Sequence, residues 1–302
     1  MQRIFTGIQQ VPFNDDAWPK FLRNYHSPMD DDLHLSQLAE QLEATYMADV
    51  FDVVSPAVRD ELGMSVHRIA GGVVTTMAND PTGGFWSRAL GLGWSEPITD
   101  AVLDQVVATC DEHEAPAVCL QVSPLVAGDW RGVAARHGFT PGATWIKVVR
   151  DVAEPPRVDT DLVVRELGAD DADEYARVYW EGFGFPHPPF MAWTREQTAL
   201  PQWFCYAAFD GNMMVAVGAL YIHDGVGALM GAATLPASRN RGGQVALMAA
   251  RIRAAKELGC EVLFTETGAE TPDDPNPSLH NMHRAGFRDL YGRQNLNLKL
   301  AH

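Results

Sequence analysis

The 302-residue sequence is short of several things, and each shortage narrows what the chain can be. Only four cysteines occur, Cys110, Cys119, Cys205 and Cys260, and none forms a C-x-x-C pair. A disulfide framework is excluded, and a reducing cytoplasm is the expected compartment. No run approaches the ~20 apolar residues of a membrane span. The opening "MQRIFTGIQQVPFNDD" has no apolar core of the length a secretory signal needs. Basic residues are outnumbered, 23 Lys and Arg against 39 Asp and Glu, for a formal net charge of -16. Nucleic acid is therefore not an expected partner, because its phosphates would be repelled. No G-x-S-x-G and no Cys/His arrangement points to a covalent hydrolase.

The rest has a soluble, core-forming composition, 46% hydrophobic and 21% charged. The length fits two domains. A polar, Pro-bearing stretch at 151–160, "DVAEPPRVDT", is the best linker. The two sides echo each other. "APAVCLQVSP" (115–124) and "GCEVLFTETG" (259–268) each read as a buried strand, and "ARHGF" (135–139) and "HRAGF" (283–287) each close a short helix. The second half reads β-α-α-β-β-β-α-β-α-β, a mixed α/β layer. Its runs 203–210 and 213–223 are joined by a "GN" turn, and His223 and Asp224 fall at the next turn.

The most informative run is "LPASRNRGGQVALMAARIRAAKELG", 235–259. In an otherwise acidic chain it gathers Arg239, Arg241, Arg251, Arg253 and Lys256. It follows an apolar strand and opens an amphipathic helix expected from about Gly243 to Leu258. Val245, Met248, Ile252 and Ala255 fall on one face, and the basic residues fall largely elsewhere. The first turn of a helix carries unpaired N–H groups and a partial positive charge. Glycines there allow close approach to the backbone. Such an end suits a phosphate or pyrophosphate.

The run "PASRNRGGQVALM", 236–248, resembles the acyl-CoA loop of the GNAT acetyltransferase superfamily, P-x-x-R/Q-x-x-G-x-G/A followed by a small residue and Leu. Pro236, Arg239, Gly242 and Leu247 match, and Gln244 departs from the final Gly/Ala. The element order from about 161 to 300 and the Gly-Phe of "RAGF" agree with that family. The resemblance implies an α/β fold of two tandem GNAT-like domains, each a mixed, mostly antiparallel sheet flanked by helices. The expected units are a degenerate domain at 1–152 without cofactor and a catalytic domain at 160–302.

The same resemblance assigns roles. Ala233, Thr234 and Leu235 would hold the pantetheine arm. Arg239 and the amides of Asn240, Arg241, Gly242, Gly243, Gln244 and Val245 would hold the pyrophosphate of acetyl-CoA, with Asn281 close by and Ser278 on the same helix. The family's fourth-strand Glu is absent from "VGALMGAATL", so Glu266 is the substitute base. Met282 stands where the family's acidic Tyr is found, so Tyr291 is the substitute acid. The loop "GFGFPHPPF" (182–190), including His187, is either an acceptor-pocket wall or a packed Pro-rich loop.

The first half has no such cradle. Gly91 and Gly93 precede a helix placed at about 91–107, but Glu96, Asp100 and Asp104 replace the arginines. "CDEHE" (110–114) and "HNMH" (280–283) lack a full ligand set, so no metal is expected. The expected function is N-acetyl transfer from acetyl-CoA, a co-substrate, to a small-molecule amine by direct attack. The alternative is a non-catalytic acyl-CoA-binding sensor, and a third reading is acetylation of a basic protein tail. No membrane partner is expected, and both monomer and homodimer remain open.

Overall fold

A computed structural model describes residues 28–301, so the opening stretch 1–27 lies outside the described residues. Two helices come first, α1 (Pro28–Asp52) and α2 (Pro56–Leu62). They are followed by β1 (Met64–Ile69), β2 (Gly72–Met77), β3 (Arg88–Leu90), α3 (Asp100–Glu112), β4 (Ala117–Leu120), α4 (Trp130–Arg136) and β5 (Thr140–Asp151). The second half runs β6 (Val163–Glu166), α5 (Ala172–Gly182), α6 (Pro188–Gln197), β7 (Trp203–Asp210), β8 (Met213–His223) and β9 (Val226–Thr234). It ends with α7 (Gly243–Glu257), β10 (Val262–Gly268), α8 (Pro277–Arg284) and β11 (Arg288–Lys299). This is the order read from the sequence. The turn after His223 has Asp224 at φ 47° and Gly225 at φ 77°, two left-handed residues that match a tight hairpin.

All eleven strands among the described residues belong to one sheet, in the order β1-β2-β3-β4-β11-β5-β10-β9-β8-β7-β6. The centre of this order is not sequential. β5 of the first half lies between β10 and β11, antiparallel to both. β11 of the second half lies between β4 and β5. Each half thus lends its last strand to the middle of the other. The internal echo explains how this can be symmetric. Gly138 and Gly286, with φ of +81° and +86°, end α4 and α8 alike, and each is followed by a buried Phe that leads into the exchanged strand. Glycine adopts that backbone conformation without a Cβ penalty.

Side chains alternate across the sheet, as strand geometry requires. Val73, Val149, Ala207 and Tyr221 join one core with α1, α2, α5 and α6, and it runs unbroken across both halves. Their neighbours Val74, Val148, Ala208 and Leu220 face the other side. There α7 and α8 cover the second half and α3 and α4 the first. α1 spans both halves. Its Asp49 accepts a hydrogen bond from Tyr221 of β8 at 2.7 Å, and the Trp193 indole of α6 donates to the Val50 carbonyl.

The strand exchange makes neither half self-sufficient. Separately expressed fragments 1–156 and 157–302 should each lack a cooperative urea transition, because each would leave its last strand without either of its sheet neighbours. Co-expression should restore the transition. A fragment 157–302 that unfolds cooperatively alone would contradict this.

Candidate active site

β9 and β10 run parallel and pair only at Val226–Ala228 with Val262–Phe264. β10 continues against β5 to Gly268, while β9 continues against β8 to Thr234. A wedge opens between them. At its apex the Thr265 hydroxyl donates to the Leu229 carbonyl at 2.8 Å, replacing a lost ladder bond. Across β9, the register with β8 slips between Val217 and Ala219, leaving Gly231 and Ala232 opposite Gly218 alone. Such a bulge takes backbone groups out of the ladder. The wedge holds a cavity of about 270 Å³ that reaches Met248, Arg251, Ser278 and Met282.

The wedge leads to the start of α7. Here Asn240 (φ 62°) and Gly242 (φ 78°) are left-handed, and Gly242 is the N-cap. The helix has no side-chain cap. Among the described residues, the amides of Asn240, Arg241, Gly242, Gly243, Gln244 and Val245 donate to no protein acceptor. Six amides without a protein acceptor, three before the helix and three in its first turn, sit at the positive end of a 15-residue helix, an arrangement that suits an anion. Gln244 is clamped at its rim: its amide donates to Ser278 Oγ at 2.7 Å and its carbonyl accepts from Asn281 at 2.5 Å. The helix after β3 is built differently. α3 begins at Asp100, later than the glycines suggest, and is capped by Thr99, whose hydroxyl accepts from Val102 N. Asp100 pairs with Arg136, Asp104 meets His137, and a Cβ on Gly93 would strike Val126 at 2.3 Å.

At its inner end the wedge meets a second cavity of about 50 Å³, walled by residues from both halves. Trp145, Leu229, Met230, Gly231 and Thr265 border both spaces. Beneath the second cavity lies a buried ionic cluster. Lys147 Nζ reaches Glu43 at 2.6 Å and Glu266 at 2.7 Å. Arg293 reaches Glu40 and Glu43 at 2.7 Å and Glu266 at 2.9 Å. Burial pushes the Glu43 pKa upward, but Arg293, Lys147 and Arg88 overcome it and hold the group well below its ordinary value. Glu40 goes the other way: burial outweighs its cations and raises its pKa.

The structure separates the residues that the sequence grouped. Glu266 lines the inner cavity. Tyr291 lines neither cavity; it is buried and donates to Glu40 at 2.6 Å. Ala233 and Thr234 pair with β8, Leu235 N donates to Val215, and the wedge is lined by Leu229–Ala232. The arginines are committed elsewhere. Arg239 donates to the Gly182 and Thr234 carbonyls, and Arg241 bridges Asp161 and Asp210. Arg251 is not on the surface: it is 2% exposed, and its Nη1 donates to the Ala219 and Met230 carbonyls flanking the bulge. Burial lowers its pKa to about 10. The glycines also serve another purpose than expected. A Cβ at Gly242 would meet the Asp159 carbonyl at 2.9 Å, and one at Gly243 would meet Leu162. Their lack of side chains admits the linker.

In the loop 182–190, Phe183 borders the wedge, while His187 packs against Phe185 and Phe190. His280 pairs with Glu270 and His283 with Asp289, and no metal-ligand cluster occurs among the described residues. Sequence reasoning missed Tyr46, Arg88 and Lys147. They face the inner cavity from α1, β3 and β5. The Tyr46 hydroxyl makes no hydrogen bond to protein among the described residues, and burial, with Glu43 and Glu266, raises its pKa well above 10.

Residues 172–287, within the second half of the chain, match the sequence profile of the acetyltransferase (GNAT) family. Solved structures agree on the fold. A GCN5-related N-acetyltransferase from Kribbella flavida superposes with a TM-score of 0.58 at 14% identity, covering 90% of this chain and 96% of that one. Another from Sphaerobacter thermophilus gives 0.54 at 15% identity, over 91% and 94%. A tandem GNAT protein from the clavulanic acid biosynthesis pathway gives 0.59 at 13% identity, over 91% and 97%. The fold is thus the tandem GNAT arrangement. No curated protein sequence matches the chain significantly. Among the described residues no helix is long and apolar enough to cross a membrane.

The cluster should govern stability. Arg293→Met leaves Glu40, Glu43 and Glu266 short of a shared cation and should cost about 3–5 kcal/mol in urea unfolding. The depressed Glu43 contributes stability that is complete above pH 4.5 and is lost as pH falls through its lower folded value. Glu40, raised, acts oppositely: its contribution is lost as pH rises through its folded value. Glu43→Gln should therefore flatten the acid limb of the stability curve. An unchanged acid limb would remove Glu43 as its source.

Proposed function

We propose that the protein is an acyl-CoA-dependent N-acetyltransferase acting on a small-molecule amine, with one cofactor site, in the second half. The carrying observation is the uncapped start of α7 and its six free amides, opening onto the wedge between β9 and β10. The residues present suit a CoA tail: amides 240–245 take the pyrophosphate, and the Gln244–Ser278–Asn281 clamp borders it. The free edge of β9 offers backbone to the pantetheine arm. Acetyl-CoA supplies an activated thioester. The bulge at Gly231 and Ala232 is the source of amide donors for a carbonyl oxygen, and Arg251 fixes that bulge from below.

The first half is assigned a supporting role without cofactor. Its α3 is already capped, and its β3–β4 region is filled by Val126. It contributes Tyr46 and Arg88 to the inner cavity, so the acceptor pocket belongs to both halves. Glu266 is assigned as proton acceptor for the amine. Tyr46, held protonated by its surroundings, is assigned as donor to the leaving thiolate. Tyr291 is left with a structural role beside Glu40. Four free, buried cysteines suit a reducing cytoplasm. A second reading, a non-catalytic acyl-CoA sensor, draws on Glu266 being held by two cations and on Met282 at the wedge.

Calorimetry with CoA tests the cradle. Gly243→Pro deletes one amide at a first-turn position where proline is tolerated. Gly243→Ala keeps it. The Pro variant should bind roughly 10–100-fold more weakly than the Ala variant, as loss of one charge-assisted hydrogen bond predicts. Equal affinities would remove the amides from the site. In a thiol-release assay, Tyr46→Phe should lower kcat about 100-fold or more. CoA binding with no thiol release for any amine would leave the sensor reading.

A further inference from the structure

The inner cavity is lined by a cation that makes no hydrogen bond among the described residues. Three cations and three carboxylates lie in its wall and beneath it, but their pairing is uneven. Lys147 and Arg293 between them occupy Glu40, Glu43 and Glu266 at hydrogen-bond distance. Arg88 on β3 is left over. Its closest carboxylate oxygen, Glu43 Oε1, is 3.6 Å away, too far for a hydrogen bond. Its side chain makes no hydrogen bond among the described residues, and its Nε is fully enclosed without an acceptor. The residue is 4% exposed, its guanidinium lies 4.8 Å from the Phe85 ring centroid, and it lines the cavity.

A guanidinium in the cavity wall whose Nε is enclosed without an acceptor, and whose Nη groups make no hydrogen bond, is an unmet demand in a buried site. A planar fork of this kind is matched best by a carboxylate, which accepts two parallel N–H bonds. The cavity of about 50 Å³ holds roughly three to five waters, the room of a small acid group rather than a long chain. Because this cavity shares Trp145, Met230 and Gly231 with the wedge, an acid at Arg88 and an amine at the thioester can belong to one short molecule.

We propose that the acceptor is a small amino acid, whose carboxylate is received by Arg88 while its amine faces the β9–β10 wedge. This rests on the N-acetyltransferase reading above and specifies its substrate class. The bond formed is between the amine nitrogen and the acetyl carbon. The bond broken is the thioester C–S, the amine loses a proton, and the thiol leaves protonated.

The test uses the full chain, acetyl-CoA and matched pairs: glycine with methylamine, and alanine with ethylamine. The amino acid of each pair should be preferred at least tenfold in kcat/KM, and Arg88→Gln should erase that preference, with Arg88→Lys retaining part of it. Equal turnover within each pair by the unaltered protein overturns the proposal without any variant. If no amine releases thiol, the acyl-transfer reading fails by itself. The same pairs are then compared by calorimetry in the presence of CoA. Heat with glycine that is absent with methylamine and is lost in Arg88→Gln supports the carboxylate site, and equal or absent heats overturn it.

Discussion

The structure depends on the contact between two strands that have changed places. β5 and β11 lie side by side at the middle of the sheet, and each comes from the opposite half to the strand on its other side. Lys147 on β5 and Arg293 on β11 face the same layer, where α1 sets Glu40 and Glu43 above them and β10 adds Glu266. Taking these charges out of water is costly, and only mutual pairing offsets it. The cluster therefore tolerates one arrangement of α1, β5, β10 and β11. That arrangement also defines the inner cavity.

The two halves share a plan and differ at one place. Each has a parallel pair joined by a helix that covers the far face. In the first half the helix is capped by Thr99 and its glycine loop is packed against Val126. In the second half the cap is missing and the strands part. A missing cap costs a helix stability. Here its absence coincides with the opening of the wedge, which is where a ligand could supply the missing partners.

The order of elements in the second half was legible because each rested on local chemistry. The "GN" and "DG" turns, the α7 periodicity and the Gly-Phe helix endings depend on neighbours a few residues away. Gln244 and Asn281 are 37 residues apart and meet only through the packing of α7 on α8; their place near one another was implied by the family resemblance and not by local chemistry. Tyr291 had only its place after a helix to recommend it, and the fold turned it toward α1. Arg251 had the spacing of a surface residue. It is buried because a bulge in β9 left carbonyls for it to fill, and a bulge has no clear signature in one sequence.

The sequence alone determined the alternation of strands and helices, the glycine-opened helix and the echo between halves, since backbone geometry and hydrophobic period act over short distances. Only the tertiary structure decided that the last strands trade places, that the arginines of the loop turn to Asp161, Asp210 and main-chain carbonyls, and that Arg88 lines the inner cavity without a side-chain hydrogen bond among the described residues. Those outcomes depend on which charges and edges meet across tens of residues for the arginines and more than a hundred for the exchanged strands, and that is fixed by packing rather than by neighbours in the chain.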